Sequence, residues 1–262
     1  MYGNGGILGG LPPKSTGAPG VWRLGEIACA RADEVWPTEK DASFSSVIFL
    51  DHFDGVDGAE HFRNMGSGTP GLISTNSPTS PGYLSATQKK FGRTSLYISS
   101  SAPIVRSGSV ASTAYALGAG DWTVEFWIYP TSLVNGRHLF DMRTGGSNGA
   151  FLRIYCQADG GVRVYVSSAD RITSAAGALV TNQWQFIACA RVSGTTRLFI
   201  DGTQVGSDYT DGTTYGNASI NCACSGGGGS ALPCYFDELR VTKGVGRYSS
   251  GFTPPTKPFP DY

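Results

Sequence analysis

The sequence predicts an all-β domain, built as a two-sheet antiparallel sandwich or jelly roll. From Ser45 onward, apolar residues recur with a period of two over short runs that end at Gly, Asn, Asp or Ser. Glycine provides 37 of the 262 residues, which is about twice its usual ~7% share. Charged residues make up only 15% of the chain, which argues against a helical bundle rich in Glu and Lys.

Nine segments are predicted to be strands because they are rich in Val, Ile, Phe, Tyr and Trp. They are Val47–Phe53, Ser95–Ser99, Trp122–Tyr129, His138–Arg143, Phe151–Cys156, Val162–Ser167, Trp184–Val192, Thr196–Asp201 and Tyr235–Val241. Turn sequences at Ala158–Gly161 and at Ser193-Gly194 predict two hairpins, and Asp201-Gly202 predicts a third turn into Gln204-Val205. This many strands, separated by turns, is typical of a sandwich or jelly roll.

The two ends of the chain differ from the strand-rich part. Residues 1–20 are rich in Gly and Pro and predict a flexible arm. Residues 21–37 follow helical spacing and end at a proline, which predicts a short helix. Residues 42–250 form the predicted jelly roll. Residues 251–262 are rich in Pro and predict an extended tail, and we expect the sandwich to survive without it.

The predicted helix has two interpretations. It either caps the sandwich or, together with the arm, anchors the domain to a partner. The anchor interpretation depends on four apolar residues: Trp22, Leu24, Ile27 and Trp36. An arm that becomes ordered only on its partner creates a large contact from few residues.

Charge and hydropathy exclude several classes of partner. The 20 basic residues balance the 20 acidic residues, so we expect no nucleic acid and no attraction to an anionic membrane. No apolar run approaches the ~20 residues that span a bilayer, and we expect no membrane insertion. The N-terminal residues do not resemble a secretory signal, so the six cysteines are expected to stay mostly reduced in a cytoplasm.

Five segments resemble a known family, in residues and in order: FLDHFDG, KKFGRTSLYIS, DWTVEFWIYP, WQFIACARVSGTTRLFIDGTQVG and YFDELRVTKGVGRY. In these segments the chain resembles the laminin-G-like, concanavalin A-type lectin/glucanase jelly roll, over roughly residues 45–250. The closing GVGRYSSGFTPPTKPFP is similar to the form found in virion proteins of tailed bacteriophages. The resemblance implies a two-sheet sandwich that serves as a binding or structural module.

The residues give no support to an enzyme. Glucanases of this fold carry a Glu-x-Asp-x-Glu pattern on one strand, because one carboxylate attacks while the other donates a proton. That pattern is absent here, and Glu125, on the corresponding kind of strand, has Thr123 and Trp127 two residues away. Asp237 and Glu238 are adjacent, so on a strand they face opposite sides. We therefore expect no catalytic residues.

Cysteines near the Gly-rich loop leave three alternatives open. Cys156 and Cys189 lie within predicted strands, where a free thiol acts as a small hydrophobe. Cys222, Cys224 and Cys234 bracket the loop. They are interpreted as reduced core residues, as a disulfide from Cys234 to either of the others, or as a metal site that lacks a fourth ligand.

Three aspartates are candidate calcium ligands: Asp54, Asp57 and Asp237. Two of them belong to the run LDHFDGVDG, and Ca²⁺ prefers several carboxylate oxygens. In laminin-G-like domains the first and last strands lie close together, which would bring Asp237 towards Asp54. The alternative is that the Asp-Gly pairs simply form bends. No other cofactor is expected.

Alternation along the strands predicts a binding face. The residues expected to point inward are Trp122, Val124, Phe126, Ile128, Leu152, Ile154, Cys156, Val162, Val164 and Val166. The candidate contact residues on the opposite faces are Trp127, Tyr129, Asp141, Arg153, Tyr155, Arg163 and Tyr165. Such a surface suits carbohydrate, because rings stack on sugars and Arg or Asp bonds hydroxyls. It also suits a subunit contact or a plain amphipathic surface.

Together, the resemblance and the two-part design predict a non-enzymatic structural protein of a phage virion, assembled in the host cytoplasm. It would be a capsid decoration protein or a tail-fibre or adhesin component, anchored by its N-terminal arm. The expected partners are other virion proteins, further copies in a homo-oligomer (a trimer is favoured) and host-surface glycan. The alternative function is a carbohydrate-binding lectin module that recognises cell-surface glycan.

Overall fold

Antiparallel strands dominate the computed structural model. The structure describes residues 40–60, 65–67, 72–75, 82–99, 104–107, 111–144, 149–226 and 230–262. Within these ranges the strands are β1 (Val47–Asp51), β2 (Ile73–Thr75), β3 (Tyr83–Ser85), β4 (Ser95–Ile98), β5 (Ile104–Arg106), β6 (Trp122–Pro130), β7 (Arg137–Asp141), β8 (Arg153–Cys156), β9 (Val162–Val166), β10 (Ala169–Thr173), β11 (Gln185–Val192), β12 (Thr195–Ile200), β13 (Thr203–Thr210), β14 (Asn221–Cys222) and β15 (Cys234–Lys243). Two single turns of 3₁₀ helix lie at Phe44–Ser46 and Thr113–Tyr115. The predicted arm and anchor helix, including Trp22, Leu24, Ile27 and Trp36, lie outside the described residues.

The strands form two sheets that pack face to face. The first sheet has the order β13-β12-β11-β6-β15-β4-β3, and β1 pairs with β15 beside this path. The second sheet has the order β10-β9-β8-β7-β14-β5-β2. All pairings between these strands are antiparallel. The predicted fold class, an all-β two-sheet jelly-roll sandwich, is confirmed.

All nine predicted strands are present, with small differences at their ends. β1 ends at Asp51 because Phe53 adopts a left-handed backbone (φ 53°), and the Asp51 carboxylate accepts the Phe53 N–H at 2.8 Å. The sequence analysis missed β2, β3, β5, β10 and β14. Four of these, β2, β3, β5 and β14, have three residues or fewer, which is too short for alternation to stand out. The fifth, β10, is mostly exposed and has no clear apolar pattern.

The predicted hairpin turns are also present. Ser193 and Gly194 both have positive φ (49° and 75°), as do Asp201 and Gly202 (51° and 77°). Positive φ at both central residues is what a tight two-residue hairpin turn requires. At Gly202 a side chain would collide with the Phe252 carbonyl, so this turn also needs glycine in order to hold the C-terminal tail.

Apolar side chains between the two sheets form the main core. Every residue predicted to point inward is buried there. Phe126 of β6 stacks on Phe236 of β15, with ring centroids 4.5 Å apart, and on Phe140 of β7, with centroids 6.2 Å apart. Since Phe140 belongs to the second sheet, this stack joins the sheets across the sandwich.

A second apolar cluster lies on the outer face of the first sheet. Its buried members are Val47, Leu50, Trp127, Phe186, Ala188, Phe199 and Phe259. Trp127 is only 5% exposed, so the expectation that it forms part of an open contact surface is wrong. Phe259 belongs to the tail and lies against Phe186, with centroids 6.3 Å apart, while the Arg240 guanidinium lies 3.8 Å from its ring centroid. The tail therefore covers apolar surface that the sandwich would otherwise expose.

Buried ion pairs join the described N-terminal residues to the same face. The Glu125 carboxylate, on β6, is fully buried and accepts hydrogen bonds from Arg240 Nε at 2.8 Å and from the Tyr248 hydroxyl at 2.6 Å. Arg240 and Arg247 both donate to Asp41, at 3.0 and 2.6 Å. Each buried charge has a partner, as burial in low dielectric requires.

At a bulge in β15, Glu238 contacts both His52 and the C-terminal tail. Glu238 has a left-handed backbone (φ 54°) where the pairing of β15 with β6 shifts. Its carboxylate lies 2.8 Å from His52 Nδ1 and accepts the Phe259 N–H at 2.8 Å. Burial alone would lower the pKa of His52, but Glu238 prevails and raises it to about 9. The pair thus links β1, the bulge and the tail.

Substitution of Phe259 by Ala is expected to lower the free energy of unfolding by about 3 kcal/mol, because it leaves a cavity over the first sheet. Chemical denaturation measures the change. The matched control is Thr256→Ala, at an exposed position of the same tail, where we expect no effect beyond about 0.5 kcal/mol. Equal stability of the Phe259 variant and the control would show that the tail does not contribute to the fold.

His52→Gln is expected to flatten the pH dependence of stability between about pH 6.5 and 9. The folded protein keeps the His52 proton up to a pKa of about 9, whereas the unfolded chain releases it near 6.5. The stabilisation from His52 is therefore complete below pH 6.5 and is lost as the pH rises through 9. Denaturation midpoints at several pH values measure this. His138→Gln is the control, because its pKa of about 4 lies outside that window. The same alkaline slope in wild type and His52→Gln would contradict the assignment.

Candidate functional site

The predicted contact residues divide between the two sheets. Trp127 and Tyr129 lie on β6 of the first sheet. The other five lie side by side on β7, β8 and β9 of the second sheet: Asp141, Arg153, Tyr155, Arg163 and Tyr165. The single face expected from alternation is thus two faces on opposite sides of the sandwich, since alternation does not show which sheet a strand joins.

The Arg-x-Tyr repeats of β8 and β9 face each other directly. In the pairing of the two strands, Arg153 lies opposite Tyr165, and Tyr155 lies opposite Arg163. The Arg153 guanidinium lies 4.1 Å from the centroid of the Tyr165 ring and 4.4 Å from that of Tyr155. Contact with both rings holds this guanidinium in a defined place on the face.

Asp170, on β10, completes this end of the face. Its carboxylate accepts hydrogen bonds from the Tyr155 hydroxyl at 2.6 Å and from Arg163 Nη1 at 2.8 Å. The Arg163–Asp170 pair is partly exposed, so it contributes little stability and mainly orients Tyr155. The sequence analysis missed Asp170, because β10 is a mostly exposed edge strand without a clear apolar pattern.

Asp141 is enclosed rather than available for contact. It is fully buried, and its carboxylate accepts hydrogen bonds from Arg143 Nε at 3.0 Å, from Arg143 Nη2 at 2.7 Å and from the Gly226 N–H at 3.1 Å. These donors occupy the carboxylate. Its expected role as a contact residue is therefore revised: Asp141 positions Arg143 and the Gly226 backbone.

His138 presents a donor without a partner. Its Nε2 lies 3.2 Å from Arg143 Nη2, and since a guanidinium only donates, Nε2 must accept and the ring hydrogen is on Nδ1. Burial lowers the pKa of His138 to about 4; the charges of Arg153 and Arg143 act in the same direction, against that of Asp141. The ring is therefore neutral at pH 7, and its Nδ1–H makes no close hydrogen bond among the described residues, although the Ser230 backbone acts to raise its pKa.

Five buried polar atoms on this face lack a hydrogen-bond partner among the described residues. They are Arg106 Nε, His138 Nδ1, Arg153 Nε, Arg163 Nε and Asn221 Oδ1. The Asn221 amide nitrogen donates to the carbonyls of Asp141 and Arg143 at 2.7 and 3.0 Å, which fixes its oxygen as the free acceptor. An unpartnered buried polar atom costs about 1–3 kcal/mol, so a ligand that satisfied these atoms would gain their hydrogen bonds.

Strand pairing aligns the central residues of the face in one row. The row crosses five strands, β9, β8, β7, β14 and β5, and we call it the arginine row. Its residues, in order, are Tyr165, Arg153, Asp141, Asn221 and Arg106. Four strand spacings of ~4.8 Å give it a length of about 19 Å. Sequence reasoning could not find Asn221 and Arg106, because β5 and β14 have only three and two residues.

Tyr129 belongs to a different surface, on the outer face of the first sheet. Five half-buried aromatic residues follow one another there, and we call them the tyrosine row: Tyr83, Tyr97, Tyr235, Tyr129 and Trp184. Successive ring centroids lie 5.3, 4.9, 6.0 and 5.7 Å apart. The sequence does not show this row, since its rings come from segments that are far apart along the chain.

The three candidate calcium ligands are engaged by backbone groups. Asp54 accepts the Arg93 N–H at 2.6 Å, Asp57 accepts the Ala86 N–H at 2.9 Å, and Asp237 accepts the Lys90 N–H at 2.8 Å. Among the described residues, no group of three or more His, Cys, Asp or Glu is arranged to hold a metal ion. The geometry favours the alternative interpretation, in which these carboxylates shape loops.

The described cysteines are core residues. Cys156, Cys189, Cys222, Cys224 and Cys234 are all free and buried in the main core. Burial raises the pKa of the Cys156 thiol to about 11 and that of Cys224 to about 12, so both are protonated and unreactive at pH 7. The structure thus favours the interpretation as reduced packing over a disulfide or a metal site.

Three solved structures are similar to this chain at low sequence identity. Domain 4 of AbnA, a GH43 extracellular arabinanase from Geobacillus stearothermophilus in complex with arabinotriose, is 15% identical over 77% of this chain and 94% of that domain (TM-score 0.47). A Trypanosoma rangeli sialidase is 6% identical over 76% of this chain and 31% of its own (TM-score 0.50). The CBM40 of Ruminococcus gnavus IT-sialidase, bound to α2,3-sialyllactose, is 12% identical over 51% of this chain and 80% of its own (TM-score 0.42).

Comparison with known protein families bears directly on the family of this chain. No curated protein matches the chain. Within the described residues, no helix is long and apolar enough to cross a membrane. Residues 106–245, just over half of the chain, match the Laminin_G_3 family, described as the concanavalin A-like lectin/glucanases superfamily. The match includes all five residues of the arginine row and agrees with the two-sheet sandwich, and the chain therefore belongs to this family.

Proposed function

We propose that the protein is a carbohydrate-binding module and that the arginine row, with Tyr155 and His138 beside it, is its sugar site. The observation that carries this proposal is the group of unpartnered buried polar atoms beside aromatic rings on one sheet face. Family membership supports a binding module, and among the alternatives set out from the sequence it favours the lectin over the phage structural role.

Aromatic and polar side chains of the face contribute to sugar recognition in different ways. Tyr165 is half-buried, and the part of its ring that remains accessible can stack on the apolar face of a sugar. Arg153 is half-buried, and its guanidinium offers N–H donors for sugar oxygens. His138 and Asn221 are buried and lie beneath the accessible part of the face. Because Arg153 is held by two rings and Asn221 by two backbone carbonyls, little side-chain entropy is lost on binding.

The two carboxylates of this face are committed to structural contacts. Asp141 pairs with Arg143, and Asp170 pairs with Arg163 and Tyr155. Glycoside hydrolysis needs one carboxylate free to attack or to activate water, and a second that holds a proton. The geometry of the two carboxylates therefore supports binding without hydrolysis.

Arg153→Ala and Tyr165→Ala are each expected to weaken glycan binding at least tenfold, since each removes a contact of about 1.5–3 kcal/mol. Binding is measured on a glycan array and then by calorimetry with the strongest hit. Arg153→Lys keeps the charge but loses the planar fork, and it is expected to bind at an intermediate level.

The matched control is Tyr97→Ala, in the tyrosine row of the opposite sheet, which is expected to bind like wild type. Circular dichroism confirms that each variant is folded. Loss of binding in the Tyr97 variant, with full binding in the Arg153 variant, would move the site to the first sheet. No binding of the wild type to any glycan would overturn the proposal.

Location on a phage particle stays a prediction, together with the homo-oligomer and the anchor at residues 21–37. Deletion of residues 1–37 is expected to leave a folded domain that still binds glycan but no longer joins particles, because the ion pairs of Asp41 and all strands remain. Co-sedimentation with purified particles and thermal unfolding measure the two properties. An unfolded deletion variant would instead show that the segment caps the sandwich.

A further inference from the structure

We infer that the preferred ligand is an acidic sugar whose carboxylate binds at Arg153 or Arg106. This inference rests on the proposed carbohydrate site and names the chemical class of its ligand. It depends on the balance of charge across the face and on the kinds of atoms that lack partners.

The described face has more cations than anions. Arg143 pairs with Asp141 at 2.7 Å, and Arg163 pairs with Asp170 at 2.8 Å. Arg153 and Arg106 have no carboxylate partner among the described residues, and the Nε of each is buried without a hydrogen bond. A partly desolvated guanidinium without a counterion favours an anionic ligand.

The internal segments between the described ranges carry no acidic residue. The internal segments that separate the described ranges are residues 61–64, 68–71, 76–81, 100–103, 108–110, 145–148 and 227–229. Their sequences contain no Asp and no Glu. The segments that follow β5 and precede β8 consist of Gly, Ser, Val and Asn, and residues 227–229 are all glycine.

The planar geometry of the Arg153 guanidinium favours a carboxylate as the anionic group of the ligand. The Arg153 guanidinium carbon lies 4.4 and 4.1 Å from the ring centroids of Tyr155 and Tyr165, and a guanidinium that contacts rings in this way can also form in-plane hydrogen bonds through its planar fork. A planar carboxylate matches that edge with two parallel N–H···O bonds.

The neighbouring atoms select a sugar rather than a simple anion. Between the two arginines along the row lie Asp141, whose charge is paired with Arg143, and Asn221, whose buried Oδ1 has no donor among the described residues. His138 is neutral and offers a donor instead of a second positive charge. The face thus suits a ligand that carries both a carboxylate and hydroxyl groups, such as a uronic or sialic acid residue.

The test compares acidic sugars with their neutral counterparts on the full-length protein. The probes are trigalacturonic acid against its methyl ester, sialyllactose against lactose, and a sulfated trisaccharide. Calorimetry is expected to show each carboxylated sugar binding at least tenfold more tightly than its neutral counterpart, with weaker binding at high salt.

Arg153→Gln and Arg106→Gln are the test variants, and at least one of them is expected to abolish this preference. Arg197→Gln is the matched control, because Arg197 lies on β12 of the first sheet in an exposed pair with Asp208, and it is expected to keep the preference. Thermal unfolding shows whether each variant is folded.

The outcomes separate this inference from the proposed function. Equal binding of acidic and neutral sugars, lost in Arg153→Ala, would overturn the acidic ligand and leave the carbohydrate site intact. Equally tight binding of the sulfated sugar would overturn the assignment to a carboxylate. If both Gln variants still bind acidic sugars more tightly than neutral ones, the carboxylate of the ligand does not bind at Arg153 or Arg106. No binding of any sugar would overturn both proposals.

Discussion

Packing between the two sheets is the constraint from which the candidate site follows. Phe126, Phe140 and Phe236 stack across the interface, and Val162, Val164 and Val166 line the same interior. Because side chains alternate along a strand, apolar residues fixed on the inside force their neighbours outward. Arg163 and Tyr165 therefore reach the outer face as a consequence of core packing, and a shift of one residue would bury their charge and hydroxyl in the core.

The two outer faces of the sandwich have different chemistry. On the first sheet, the tail places Phe259 over Phe186 and Trp127, and the buried Glu125–Arg240 pair lies beside them. On the second sheet, a row of polar groups crosses the central strands, and several of its buried atoms remain without a partner among the described residues. Buried polar atoms of this kind cost stability, and a folded protein that keeps them gains when a ligand completes their bonds.

Positioning within the site depends on groups that do not themselves meet a ligand. Asp141 holds Arg143, and Arg143 in turn fixes the tautomer of His138. The rings of Tyr155 and Tyr165 both contact the Arg153 guanidinium. The rigidity of the proposed site thus comes from short-range contacts within one sheet, which fix these side chains before any ligand arrives.

The sequence by itself determined the fold class, nine of the described strands, the hairpin turns and the inward residues. It did so because alternation and turn chemistry are local properties that a single segment displays. It also predicted the Arg-x-Tyr repeats as candidate contacts. Only the tertiary structure decided that Trp127 lies under the tail, that Asp141 is enclosed, and that Asn221 and Arg106 join the row. These facts depend on which sheet each strand joins and on pairings between distant segments. Sheet membership and long-range pairing arise from packing over the whole chain, so a local sequence pattern does not predict them.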